Sequence, residues 1–492
     1  MEIRANSLKG KVHGMAALRE SPFLFAVIGI VGFCISVVAL TTLHIGSDFS
    51  EVPVDGFFFL QNIPFAYWLG ICLLVLSILY VGCLNKGWKW SVILSGLLII
   101  SMRIVLNVGL TNSLNFDSIV RDVPNMISWL DHGIFFIQNY YSQMFPLSYL
   151  IAYTFTSAGI PVNIFYEWAA IPIYLIDAYL VFIIASLLVN KNQASLAVFL
   201  FALISLTVEG GILTQFYNPQ LIGSMFYLLS LYLTLRLVKT NVISWKGVSI
   251  ACISIFLMIL SHHLTVVYFI LTISGVWLIS KTRLSLFSSL NFKIFPFLTI
   301  FTSIAWVAYS LVMYPEIFLS WISDARNIIL LGHKFVDINS VSLGAFLNQP
   351  LFDMITFVAV PLFIGGLFLI YLGREWRSRA IHSNKLSSIL NIFNDQLAFL
   401  TIGMIWILGF IFLIGLIFNG LLYPIRNIEF ILSLLAPIGA ISLLDLLSHR
   451  SIKVRILIIL LAIIVTFLSI YWTYHIFQRT IPLWVNGLFN PR

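Results

Sequence analysis

Apolar residues run along this chain in long blocks, not in the alternation of a sheet or the one-sided stripe of a soluble helix. About 20 consecutive apolar residues suffice to cross a bilayer as a helix, and a helix satisfies its own backbone there. Such runs lie near 22–43, 65–84, 91–110, 164–188, 194–208, 219–237, 248–261, 265–280, 294–313, 352–372, 397–418, 426–446 and 456–475. They make 13 expected spans. Most polar residues fall in short turns, with longer stretches at 44–64, 111–163 and 314–351.

The stretch "TNSLNFDSIVRDVPNMISWLDHG" (111–133) interrupts this pattern. Phe116, Ile119, Val120, Val123, Met126, Ile127 and Leu130 recur at helical spacing, and Asp117, Ser118, Arg121, Asp122, Asn125, Ser128 and Asp131 fill the other side. The pattern predicts an amphipathic helix lying on the membrane face. Asn115 would cap it, Pro124 kink it and Gly133 stop it. The next segment, "FPLSYLIAYTFTSAGIP" (145–161), has a continuous apolar run of only about 13 residues, which suits an interfacial or re-entrant helix.

Composition turns the pattern into a class. Of 492 residues 60% are hydrophobic and 9% charged, with mean hydropathy +1.02. Soluble domains are about half apolar and about a quarter charged. The expected fold is therefore all-α: a polytopic integral membrane protein with external juxtamembrane amphipathic helices. Cys34, Cys72, Cys83 and Cys252 lie in or at the ends of apolar runs with no CxxC pair, which argues against a disulfide framework or a zinc site.

The net charge of +8 sits mainly in alternate turns, as membrane insertion requires, and not in a nucleic-acid patch. Arg4, Lys9, Lys11 and Arg19 favour a cytoplasmic N-terminus, and the first apolar run is long enough to remain as a span. Counting 145–161 as a crossing would put most later lysines and arginines outside. The expected topology is N-terminus inside and C-terminus outside. Three units follow: 1–90 as a tail and two-helix hairpin, 91–290 as a module carrying the external loop 111–163, and 291–492 as a module carrying the loop 314–351. The longest cytoplasmic loop, 373–396, is short and basic, and no Walker or Rossmann glycine motif appears, so nucleotide chemistry on that face is disfavoured.

Polar side chains inside or beside the spans are the candidate chemistry. Arg103 lies within a span, where a charge faces a partner or a wet cavity, and Asp177 is a possible partner. Glu167, Glu209, Asp353, Arg426 and Glu429 fall at outer helix ends, where snorkelling to headgroups is the plain alternative. His262 and His263 are adjacent, about 100° apart on a helix, so they do not share a metal on one face. In "LLYPIRNIEF" (421–430), Arg426 stands beside helix N-terminal donors and suits a phosphate, or pairs with Glu429. Tyr217 and Asn218 in "TQFYNPQLIGS" (214–224) are candidate ligand contacts, although Pro219 at a helix start is ordinary.

The order of these pieces resembles the GT-C superfamily of membrane glycosyltransferases. An aspartate opens an external loop ("NFDSIVRD"), an amphipathic helix ends in glycine ("WLDHG"), and aromatics with a proline precede a short apolar helix ("YYSQMFPLSYLIAY") ending in "AGIP". The likeness covers roughly 91–280, with "YPIRNIEF" as a weaker downstream match. The acidic loop here follows the third span instead of the first, and neither WWDYG nor DxD occurs, so the subfamily, sugar and acceptor stay open.

The resemblance implies an inverting transferase on the extracytoplasmic face. Its donor would be a polyprenyl-phosphate-linked sugar and its acceptor a glycan, lipid or protein. No cofactor is assigned, and metal dependence is open. Carried over by position, Asp117 is the general base and Asp122 the runner-up or an acceptor-orienting group. Arg426 and Arg103 would stabilise the leaving phosphate, with His262 or His263 beside it. The competing readings are a transporter or flippase for a lipid-linked or small polar substrate, and a polysaccharide polymerase or ligase. A prokaryotic plasma membrane is favoured over endoplasmic reticulum.

Overall fold

The computed structural model describes residues 21–41, 63–84, 86–109, 122–132, 144–207, 217–240, 244–281, 293–331, 351–380, 403–405, 407–410, 424–449 and 451–488. These residues form helices and no strands. In chain order they are α1 (Pro22–Leu40), α2 (Phe65–Cys83), α3 (Trp88–Gly109), α4 (Val123–His132), α5 (Pro146–Ser157), α6 (Val162–Trp168), α7 (Ala170–Leu188) and α8 (Lys191–Thr207). Then follow α9 (Pro219–Lys239), α10 (Trp245–Ser261), α11 (His263–Lys281), α12 (Ile294–Met313), α13 (Pro315–Leu331), α14 (Leu351–Ala380), α15 (Pro424–Leu447) and α16 (Ile452–Leu488).

Among the described residues, 8 helices are long and apolar enough to cross a membrane. Four more expected spans coincide with shorter apolar helices at 191–204, 245–261, 263–278 and 358–374. The expected span 397–418 lies largely outside the described residues, so the described chain establishes eight candidates and not thirteen. α5, in the segment expected not to cross, is 12 residues long. The expected span 164–188 falls within one candidate span, Val162–Leu188, where α6 passes into α7 through the single residue Ala169, and Pro172 in the first turn of α7 has no N–H to donate. Residues 110–121 and 133–143 lie outside the description, and with them Asn115, Asp117, Arg121 and Gly133.

α8 is the centre of the bundle. It packs against α2, α3, α7, α14, α15 and α16, and residues 194–204 are buried all round. A helix apolar on every face needs such a jacket. Its start is fixed by reciprocal bonds: Asn190 Oδ1 accepts from the Gln193 N–H (3.0 Å), and Gln193 Oε1 accepts from the Asn190 N–H (3.2 Å). α1 and α2 touch through glycine, where a Cβ on Gly70 would stand 2.4 Å from the Gly32 carbonyl oxygen. Small residues allow such backbone approach where lipid offers no competing hydrophobic drive.

Helix ends sort into two poles. At one, Asn192 donates to the Leu84 carbonyl (2.7 Å), Lys239 to the Leu187 carbonyl (3.4 Å), and Arg374 pairs with Asp445. At the other meet the C-terminal parts of α3 and α10 and the starts of α7, α9 and α11. α11 runs back beside α9, with Tyr227 against Phe269 (5.9 Å), so α10 and α11 form a splayed hairpin turning at His262 alone. The short helices α4, α5 and α6 pack together at this second pole.

Candidate functional site

The second pole is built around Asp122, the residue just before α4 and 1% exposed. A carboxylate there is favoured by the helix dipole. The Tyr149 hydroxyl of α5 donates to its Oδ1 at 2.7 Å, and Asn125 Nδ2 donates to that same hydroxyl at 3.4 Å. The Tyr166 hydroxyl of α6 donates to the Asp122 carbonyl at 3.5 Å. Tyr217 closes the set: its N–H donates to the Tyr166 carbonyl (2.9 Å) and its hydroxyl to the Ser148 carbonyl (2.6 Å). Burial, and then the Asp122 charge, holds the Tyr217 hydroxyl well above the ordinary tyrosine range, so it remains a donor. Trp129 packs on Tyr149 (5.6 Å), and Phe165 on Tyr217 (4.7 Å).

These contacts give three expected site residues a structural task. Tyr217, expected to meet a ligand, has its hydroxyl bound to the α5 backbone. Asn218 caps α9, its side chain accepting from the Leu221 N–H at 2.9 Å, with Pro219 in the first turn. Asp122 joins α4 to α5 through Tyr149.

Below this roof lies a polar layer inside the bundle. Arg103, 2% exposed, sets its guanidinium carbon 3.9 Å from the Tyr174 ring centroid. Asp177 stands three residues further along α7 on the same face as Tyr174 and accepts from Ser224 Oγ at 3.4 Å. Gly223 sits under the hairpin turn, where a Cβ would meet the His262 Cβ at 2.6 Å. His262 Nδ1 shares a hydrogen bond with Thr265 Oγ1 at 2.8 Å. Gly223 and Ser224 thus connect the histidine side of the layer to the charged side.

The two histidine rings lie 5.3 Å apart and both meet Phe145, His262 at 5.5 Å and His263 at 5.3 Å, while His263 alone stacks on Trp321 of α13 (4.4 Å). Met144, Phe145, Tyr314 and Phe318 form a small separate core there. Among the described residues no three His, Cys, Asp or Glu side chains gather as a metal site.

Arg426 and Glu429 occupy the first two turns of α15, and their side chains lie outside the description. Phe430 packs against Tyr227 (4.6 Å) and Tyr268 (5.3 Å), which ties this part of α15 to α9 and α11. The backbone of Arg426 is one turn nearer the helix start on the same face. Asp117 lies outside the described residues.

Tyr149, Tyr166, Tyr174 and Trp321 were not expected as site residues. Only Trp321 carried a signal: Tyr314, Phe318 and Trp321 follow helical spacing in a stretch otherwise read as loop. No family model matches the chain, and no curated protein is significantly similar to it.

Proposed function

We propose that this protein is a membrane glycosyltransferase of GT-C type. It moves a sugar from a polyprenyl-phosphate donor to an acceptor on the extracytoplasmic face of a prokaryotic plasma membrane. Thirteen crossings, an internal N-terminus and an external second pole complete the reading. The observation that carries it is the burial of Arg103 and Asp177 inside apolar helices beneath the juxtamembrane helices, at the pole opposite the basic turns. Ionisable groups within spans mark substrate paths or reaction sites.

Asp117 is the proposed base, taking the acceptor hydroxyl proton as the sugar leaves its phosphate with inversion. Arg426 and Arg103 stabilise the growing phosphate charge. Asp122 holds the loop helix against α5 and so orients the acceptor side of the site. The test is transfer from a polyprenyl-phosphate sugar by reconstituted protein. Asp117→Asn should lower turnover about 100-fold or more with normal expression, and full turnover removes the assignment.

The buried Asp177 also favours a second reading, a transporter or flippase whose pathway crosses the polar layer. Movement of a fluorescent lipid-linked sugar across proteoliposomes without chemical transfer would establish that reading instead.

A further inference from the structure

We propose that the first pole carries a binding site for the headgroup of an anionic glycerophospholipid, centred on Trp88. This rests on observations separate from the proposed transferase site. The α2–α3 turn, the start of α8 and the end of α9 meet there. Lys191 Nζ lies 4.9 Å and Lys89 Nζ 5.7 Å from the Trp88 ring centroid. The junction is built by side chains: Asn192 ties the start of α8 to Leu84, and Lys239 reaches the Leu187 carbonyl. Lys86 completes the turn at a positive φ of 64°, which is uncommon for a residue with a side chain.

Charge balance asks for a partner. The segments 84–91, 188–193 and 236–247 contain lysines and arginines and no aspartate or glutamate. Asp445 at this pole is already paired with Arg374. Lys89 and Lys191 are exposed beside one indole, and the positive patch they form is one that an anion would neutralise. Two N–H groups in the first turn of α8 add donors to the same place, since the Asn190–Gln193 cap answers the third.

The surroundings favour a lipid over a soluble phosphate. Phe182 stacks parallel on Trp88 (5.4 Å, 9°), and Tyr179 continues the stripe (6.4 Å) onto the membrane-facing side of α7, where it is 58% exposed. Phe182 itself is buried, so a phosphate held by Lys89 and Lys191 would lay its acyl chains on the exposed side of α7 at Tyr179. Trp245, 76% exposed at the start of α10, marks the interfacial depth at the same pole.

The test uses the full chain in detergent, with native mass spectrometry of bound dioleoyl-phosphatidylglycerol against dioleoyl-phosphatidylcholine. The wild type should retain phosphatidylglycerol preferentially. Lys89→Gln with Lys191→Gln should weaken that binding about 30-fold, at roughly fivefold per lysine. A charge-matched control, Lys293→Gln with Lys453→Gln, should leave it within about twofold, well short of one lysine's effect. Equal losses in both variants would mean diffuse basic charge and overturn the site, as would unchanged binding in the first. Displacement of the lipid by millimolar glycerol 3-phosphate would overturn the lipid assignment in favour of a soluble phosphate.

Discussion

At the residue scale, Asp122 and Arg103 are buried charges that meet their surroundings differently. Asp122 accepts a short bond from Tyr149, and hydrogen bonds to ionised groups contribute more than neutral ones, about 1.5–3 kcal/mol. Tyr149→Phe should therefore lower stability by about that amount, read as a drop in unfolding midpoint in mild detergent. Asp122→Asn keeps an acceptor and should cost less. The ordering Asp122→Asn worse than Tyr149→Phe would show that the carboxylate serves something besides this bond. Arg103 presents a flat guanidinium to Tyr174. A lysine cannot stack in that way, so Arg103→Lys should lose about 1–2 kcal/mol in the same measurement. An unchanged midpoint would mean that charge alone suffices there.

At the scale of elements, hydropathy located helices better than it located their ends. The expected run 294–313 coincides with α12, and Pro219 after a capping asparagine marked the start of α9. By contrast α16 runs for 37 residues, about 55 Å, beyond the expected 456–475. Apolarity reports lipid depth, whereas a helical backbone continues as long as its hydrogen bonds do. The one-residue turn at Ala169 has its sequence mark in Pro172, inside an apolar run that reads as one span. The link between Asp122 and Tyr149 was not legible at all, because it depends on how two separate helices dock. Glycine chemistry makes the packing of elements testable. Gly70→Ala drives a methyl into the Gly32 carbonyl and should destabilise the α1–α2 pair by about 1–3 kcal/mol. Gly366→Ala in α14 meets nothing within 4 Å and should be neutral or stabilising by up to about 1 kcal/mol. The two thermal shifts should have opposite signs or clearly unequal size.

At the scale of the molecule, the two poles differ in chemistry and should face different compartments. Cysteines introduced at Ser157, at the end of α5, and at Thr240, beyond α9, report one pole each. A membrane-impermeant maleimide added to intact cells should label Ser157→Cys and spare Thr240→Cys until the membrane is opened. Labelling of both from outside would refute the alternation of helices. The native cysteines described are in α1, α2 and α10, and a cysteine-free background removes them.

The hairpin turn at His262 has a consequence for how this chain can be edited. A turn of one residue has no slack. His262 is extended (φ −164°, ψ 118°), so a residue inserted there lengthens the turn and shifts α11 against α9 and α10. Thr265 would leave His262, and Tyr268 would leave Phe430, in one step. Gly223 beneath the turn leaves no space into which the displaced ring could retreat. An epitope tag or a fluorescent insertion at 262 should therefore abolish folding, while the same insertion at the exposed end of α5 should be tolerated.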